Sequence, residues 1–286
     1  MKDRIIAACA LVAMGGVAAC GAKAYGARKS QINPDRQKYE VFVDSEGVMR
    51  RSDNKQEVSY YGTNYTVPFA YSYRALGYES KDRKRAIDRD VYHLARLGLN
   101  AFRLHLWDAE LADSVGNLVQ SEHLDLLDYL IAQLEKRGID IVLTAQTNFG
   151  NGYPEKDADT GSFTYDYDKC NIHFDPAARA AQARYLQQLV KHRNPYTGRT
   201  LADDKAVVAI EINNEPCHKA SKRSVTEYID RMSAALRKAG YKRPILYNVT
   251  GYPFYNTSKF TMKTLQSEID AQRLKMNFIE YLNGYS

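Results

Sequence analysis

Tryptophan occurs once in the 286 residues, histidine six times and cysteine four times, and these scarcities close several routes at once. So few His, with Cys far apart at Cys9, Cys20, Cys170 and Cys217, do not make the closely spaced ligand clusters that zinc and related metals require. A dominant charge is lacking as well. The net charge is +6, and no Lys/Arg block interleaves with aromatics, so nucleic acid is not expected as a partner. The apolar run at residues 5–13 gives way to small residues too early to span a bilayer. No motif asks for a cofactor, and none is expected.

What remains is globular in character. Apolar residues make up 44% and charged residues 26%, and the length suits one large α/β domain with an ample core. Val41-Phe42-Val43 followed by Asp44-Ser45-Glu46-Gly47 predicts a short hairpin over 39–48, of the kind that plugs the bottom of a barrel. A first strand of a larger sheet follows at 58–65. Ile87, Val91, Leu94, Ala95 and Leu97 recur at helical spacing, with Gly98 as the stop. The strand at 99–107 then alternates Phe102, Leu104 and Leu106 on one face with Arg103, His105 and Trp107 on the other. Further helices are expected over 121–137, 176–193 and 225–239, and further strands over 139–145, from Val207, and over 244–250. Such alternation demands parallel pairing with right-handed crossovers.

The chemistry gathers at Val207-Val208-Ala209-Ile210-Glu211-Ile212-Asn213-Asn214-Glu215-Pro216. Its β-branched opening suits a strand buried on both faces, and Pro216, unable to donate to a sheet, ends it. Glu215 thus stands where strand gives way to loop. Asn213-Asn214-Glu215-Pro216, approached through Asn194-Pro195-Tyr196-Thr197-Gly198 and Asp203-Asp204, resembles the strand-4 signature of the clan A glycoside hydrolases, family five and its mannanases in particular. Lys205 stands where that family usually has Pro. The resemblance implies a (β/α)8 barrel of the TIM type cleaving β-glycosidic bonds with retention. It makes Glu215 the general acid/base and gives Asn214 the sugar 2-hydroxyl to hold. Capping of the following helix is the competing role for Glu215.

Gly62-Thr63-Asn64-Tyr65 resembles the end of strand 1 in the same clan, which makes Asn64 and Tyr65 substrate-binding candidates, with Tyr65 and Tyr71 facing the groove. Arg103 matches the clan's strand-2 arginine beneath the nucleophile. Resemblance aside, an inward-facing Arg needs a partner, because an unpaired buried charge is very costly. His105 is either a satisfied core histidine or a sugar contact. Trp107, at its strand's end, is placed to stack on a sugar or simply to pack. The long loop at 146–175 offers Asn148, Tyr153, His173 and Phe174 for contact with substrate. Twenty-two Tyr, each a flat apolar face with a polar tip, are compatible with a carbohydrate site.

At the N-terminus, Lys2 and Arg4 lead an apolar stretch into Val17-Ala18-Ala19-Cys20-Gly21, which resembles the lipobox of bacterial lipoproteins. Cys20 would carry the lipid; an ordinary cleaved signal with an incidental Cys is the alternative. The expected organisation is a signal peptide at 1–20, a linker at 21–38, a partial barrel at 39–255 and an atypical tail at 256–286. Membrane association would come through the lipid alone, at the bacterial cell envelope, or the chain would be secreted. Cys170 and Cys217 either pair or remain thiols.

About five βα units precede the tail, whereas a closed barrel uses ~250 residues of them. Retention also needs a second carboxyl roughly 5 Å from the first. Glu268 and Glu280 do not follow convincing buried strands, so the nucleophile is not assigned. A truncated or frame-shifted chain of weak or no activity is the expectation. The expected partner is a β-linked polysaccharide or oligosaccharide of mannan or glucan type, either hydrolysed or, on a degenerate barrel, merely bound.

Overall fold

Antiparallel pairing comes first among the described residues: β1 (Val41–Val43) pairs with β2 (Met49–Arg51) across residues 44–48. Asp44 makes the turn between them. Its carboxylate accepts from the amides of Glu46 and Val48, both at 2.9 Å, and Gly47 takes the left-handed φ of +81° that closes it. The computed structural model describes residues 36–65, 82–147, 161–167, 174–216 and 222–247. The expectations for Cys20, Tyr71, Asn148, Tyr153, Cys170, His173, Cys217, Glu268 and Glu280 lie outside those residues.

A parallel sheet follows, made of β3 (Gly62–Tyr65), β4 (Ala101–His105), β5 (Asp140–Thr144), β6 (Val207–Glu211) and β7 (Ile245–Leu246). The helices α1 (Arg83–Arg96), α2 (Glu122–Lys136), α3 (Pro176–Lys191) and α4 (Lys222–Lys238) connect successive strands. Spatial order equals chain order, β3-β4-β5-β6-β7, with every pair parallel. With no reversal of order, right-handed crossovers put all four helices on one face, and the twisted sheet curls away from them. This is five strands' worth of (β/α)8-barrel wall.

Local chemistry explains the boundaries. Asp82, Ser121 and Asp175 cap α1, α2 and α3 by accepting from amides of the first turn, and Pro176 stands at the start of α3, where its missing N–H costs nothing. Phe102, Leu104, Ile141, Leu143 and Ile210 point toward the helices and join the main core, each fully buried. A buried Phe or Leu contributes roughly 1.5–3 kcal/mol. Among the described residues no helix is long and apolar enough to cross a membrane.

The opposite, inner face holds a second, smaller core. Tyr39 and Val41 of the N-terminal hairpin pack with Val208, Ala209 and Leu246, and Val142 closes on them. The hairpin therefore seals the inner face at its lower end. Here the expected linker needs correcting at its edge. Residues 36–38 form a 3-10 turn, and Arg36 is 1% exposed, paired with Asp140 on β5 and donating to the Tyr39 carbonyl at 2.8 Å. Gln37 bonds Asp204 at 2.6 Å and accepts from the Lys205 amide. An Arg buried this way belongs to the domain.

The first strand of the parallel sheet is shorter than expected. Residues 58–61 leave the ladder: the Val58 amide donates to Met49 of the hairpin, and Asn100 takes both the Tyr61 amide and the Ser59 carbonyl. The described part of the long loop is also not structureless. Residues 163–165 form a 3-10 turn, Phe163 is buried against Tyr185 with ring centroids 6.3 Å apart, and Ser162 and Thr164 donate to the buried carboxylate of Asp108.

Candidate active site

At the C-terminal ends of β3, β4, β5 and β6, polar side chains gather around one arginine. Arg103 is only 7% exposed, on the inner face of β4. Its Nε donates to Glu211 Oε2 at 2.8 Å, and Nη2 donates to Glu211 Oε1 at 2.9 Å and to Asn214 Oδ1 at 3.0 Å. Nη1 donates to Asn64 Oδ1 at 3.2 Å and to His105 Nε2 at 2.5 Å. Thr144 on β5 adds its hydroxyl to Glu211 Oε2 at 2.7 Å. Register allows this meeting: His105, Thr144 and Glu211 are aligned partners on adjacent strands, and the long Arg103 side chain reaches across them.

The partner that an inward Arg requires is thus Glu211, which is 1% exposed. Sequence reasoning missed it. The signal for it is an acidic residue closing a buried apolar run on a strand near that of Arg103, four residues before the Glu of Asn-Glu-Pro. Two carboxylate oxygens meeting a guanidinium fork make a bidentate pair, the geometry in which Arg outperforms Lys.

Arginine has donors only, so its neighbours must accept. The side-chain oxygens of Asn214 and Asn64 therefore face Arg103. His105 presents a bare Nε2 and carries its proton on Nδ1. Burial first, and the Arg103 charge second, push the His105 pKa down from 6.5 to about 3, so the ring is neutral. The ring belongs to this network.

Asn214 is 3% exposed, and its amide donates to the Gln146 carbonyl at 2.8 Å. Glu215, next along, is exposed and has φ +45°. A non-glycine residue rarely takes that conformation, which concentrates at functional sites. Trp107 is half-buried, packs on the main core and precedes the 3-10 turn at Asp108–Glu110. Phe174 is half-buried beside the cap of α3.

Tyr65 departs from expectation. It is turned away from the inner face: its ring lies 5.3 Å from Phe102, and its hydroxyl donates to Asp90 of α1 at 2.8 Å. The period of two explains this, since Asn64 points inward to Arg103 and its neighbour must point outward. A groove contact through Tyr65 is therefore replaced by a strand-to-helix contact.

Among the described residues no group of three or more His, Cys, Asp or Glu could hold a metal ion. The arrangement can instead hold neutral polar ligands beside a solvent-accessible carboxyl group.

The fold and the sequence have known relatives. Among curated proteins none matches the chain. Of solved structures, a glycoside hydrolase family 5 mannosidase from Rhizomucor miehei is similar at TM-score 0.55 and 19% identity, over 74% of this chain and 56% of that one. The endo-1,4-beta-mannanase of the same organism is similar at TM-score 0.55 and 18% identity, over 78% and 63%. The endo-beta-1,4-mannanase from Thermotoga petrophila gives 0.53 and 19%, over 73% and 46%. The chain thus spans less than two thirds of the length of each of these structures. Residues 64–272 match the family profile described as Cellulase (glycosyl hydrolase family 5), and on that match the chain belongs to glycoside hydrolase family 5.

Proposed function

We propose that this chain carries the acid/base side of a retaining glycoside hydrolase site for a β-linked polysaccharide of mannan or glucan type. One observation carries the reading: Arg103, His105, Asn64 and Asn214 converge at the C-terminal end of parallel strands, immediately beside the exposed Glu215. In a β/α barrel that end is where catalytic groups gather. Glu215 protonates the leaving glycosidic oxygen and then, as a carboxylate, takes a proton from the water that opens the glycosyl-enzyme ester. Asn214 holds the sugar 2-hydroxyl. Trp107 offers a partly exposed ring for stacking, and Asn148 and His173 are assigned to further sugar contacts. Arg103, saturated by Glu211 and its other partners, organises the site. The nucleophile is assigned to none of the described residues. Mannan is favoured over glucan by the mannosidase and mannanase names of the similar structures.

The test is turnover of β-mannan and of an activated aryl β-mannoside by the purified chain and by Glu215→Ala. Expected is loss of mannan hydrolysis in the variant, with azide restoring aryl mannoside turnover and yielding the β-glycosyl azide. An α-configured azide product, or wild-type turnover that Glu215→Ala leaves unchanged, defeats the assignment.

A glycan-binding chain is the second reading. It is favoured by the burial of Glu211, the described carboxylate next to Arg103, which at 1% exposure does not meet a sugar. Retardation of the chain in a mannan-containing gel without release of reducing ends selects it. Lipid on Cys20 would tether the chain at the cell envelope, and labelled fatty acid that fails to enter at Cys20 removes that part.

A further inference from the structure

Arg103 spends all five of its N–H donors on protein: two on Glu211 and one each on Asn214, Asn64 and His105. Each of the last three answers with its acceptor atom, and each therefore turns a donor the other way. Among the described residues no acceptor takes Asn214 Nδ2, Asn64 Nδ2 or His105 Nδ1. Three donors without acceptors among the described residues make a rim suited to lone pairs. What holds the rim in this polarity is the orientation of the guanidinium, and what orients the guanidinium is the carboxylate of Glu211, itself steadied by Thr144.

We infer that Glu211 is a positioning residue that acts through Arg103 to fix a rim of hydrogen-bond donors, formed by Asn214, Asn64 and His105, which takes neutral sugar hydroxyls and rejects a 2-ammonium sugar. The inference rests on reading the site as sugar-binding, and it adds both the origin of the polarity and its consequence for selectivity. A hydroxyl oxygen accepts from the rim. An ammonium brings only donors, and it adds a positive charge beside Arg103. Exchanging the Glu211 carboxylate for a carboxamide puts an N–H₂ against one of the Arg103 donors. The guanidinium then turns, and Asn214 and His105 lose the reason for their present orientation.

The test reads the relay in a way that does not depend on catalysis. Ring ¹⁵N shifts of His105 in the full chain, assigned with His105→Gln, report its tautomer. Wild type is expected to be wholly Nδ1-protonated, and Glu211→Gln is expected to populate the Nε2-protonated form. A wild-type ring protonated on Nε2 overturns the inference, as does a folded Glu211→Gln chain that keeps the wild-type tautomer. Should Glu211→Gln fail to fold, Arg103→Lys, which keeps the charge but not the fork, is expected to give the same tautomer shift, and an unchanged ring there has the same force. Should neither fold, the wild-type tautomer decides. Side-chain ¹⁵N shifts of Asn214 are then followed with β-1,4-mannotetraose and with the β-1,4-linked glucosamine tetramer. Movement with the first alone supports the rim, and equal movement with both overturns it. No movement with either sinks the sugar reading, and with it the selectivity, while the tautomer still judges the role of Glu211.

Discussion

Glu215 and His105 show how differently two side chains of the proposed site are held. Glu215 stands exposed on a left-handed backbone at φ +45°. That conformation costs an L-residue roughly 1–2 kcal/mol, and Asn tolerates it better than Glu. Glu215→Asn is therefore expected to raise unfolding stability by about 0.5–1 kcal/mol in urea titration. Hydrolysis, where present, should fall about 10²–10⁴-fold. Loss of stability in that variant would mean that Glu215 makes a structural contact. His105 is the opposite case, buried and kept neutral. Its folded pKa of about 3 lies below the unfolded 6.5, so the folded chain binds fewer protons between those values. The stability it contributes is complete above pH 6.5 and is lost as pH falls toward 3, at up to about 1.4 kcal/mol per pH unit. Unfolding free energies from pH 7 to 4, taken as the difference between wild type and His105→Gln, should show that slope. A flat difference would mean that His105 titrates freely.

Among the secondary-structure elements, close approach decides which glycines matter. Gly116 lies in the turn that Asp113 holds by accepting from the amides of Val115 and Asn117. Its φ is +81°, and an added Cβ would come within 2.0 Å of the Ala181 carbonyl oxygen on α3. Gly116→Ala is expected to cost upward of about 2 kcal/mol by urea titration. Gly47 has the same φ but nothing within 4 Å, so Gly47→Asn should cost about 1 kcal/mol or less. Equal costs would show that backbone strain alone, without the contact to α3, sets the penalty. Elements of this kind were largely legible in the chain. The repeat of Ile87, Val91 and Ala95 marks α1, and Asp175-Pro176 marks the start of α3. The departures at residues 58–61 and 163–165 arise from Asn100 and Asp108, single side chains that capture backbone or hydroxyl groups distant in sequence. No local pattern carries such captures.

Across the whole molecule, the lower end of the sheet is closed by a charged pair. Arg36 and Asp140 are 1% and 4% exposed, joined across 104 residues, with Tyr39 stacked 4.2 Å beneath the guanidinium. Burial raises the Asp140 pKa above the ordinary carboxylate value, and Arg36 pulls it back. Asp140→Ala leaves Arg36 buried without its counter-charge, and should cost about 3–5 kcal/mol. The double variant Arg36→Met/Asp140→Leu should recover most of that loss, as judged by urea midpoints. A double variant no better than the single one would mean the plug depends on the ions themselves. Both the hairpin and this pair hold down the floor beneath Arg103.

Sequence periodicity alone determined the alternation of parallel strands and helices, because burial on one or two faces leaves its mark in residues three, four or two apart. It determined as well that Arg103 faces inward, and that Glu215 stands in the loop past a buried strand. Tertiary structure decided who meets whom. Glu211 became the counter-charge of Arg103, Tyr65 turned to Asp90, and Arg36 left the expected linker for the core. Those outcomes depend on the register between strands and on side chains that reach across neighbours, and a one-dimensional pattern does not encode the distances involved.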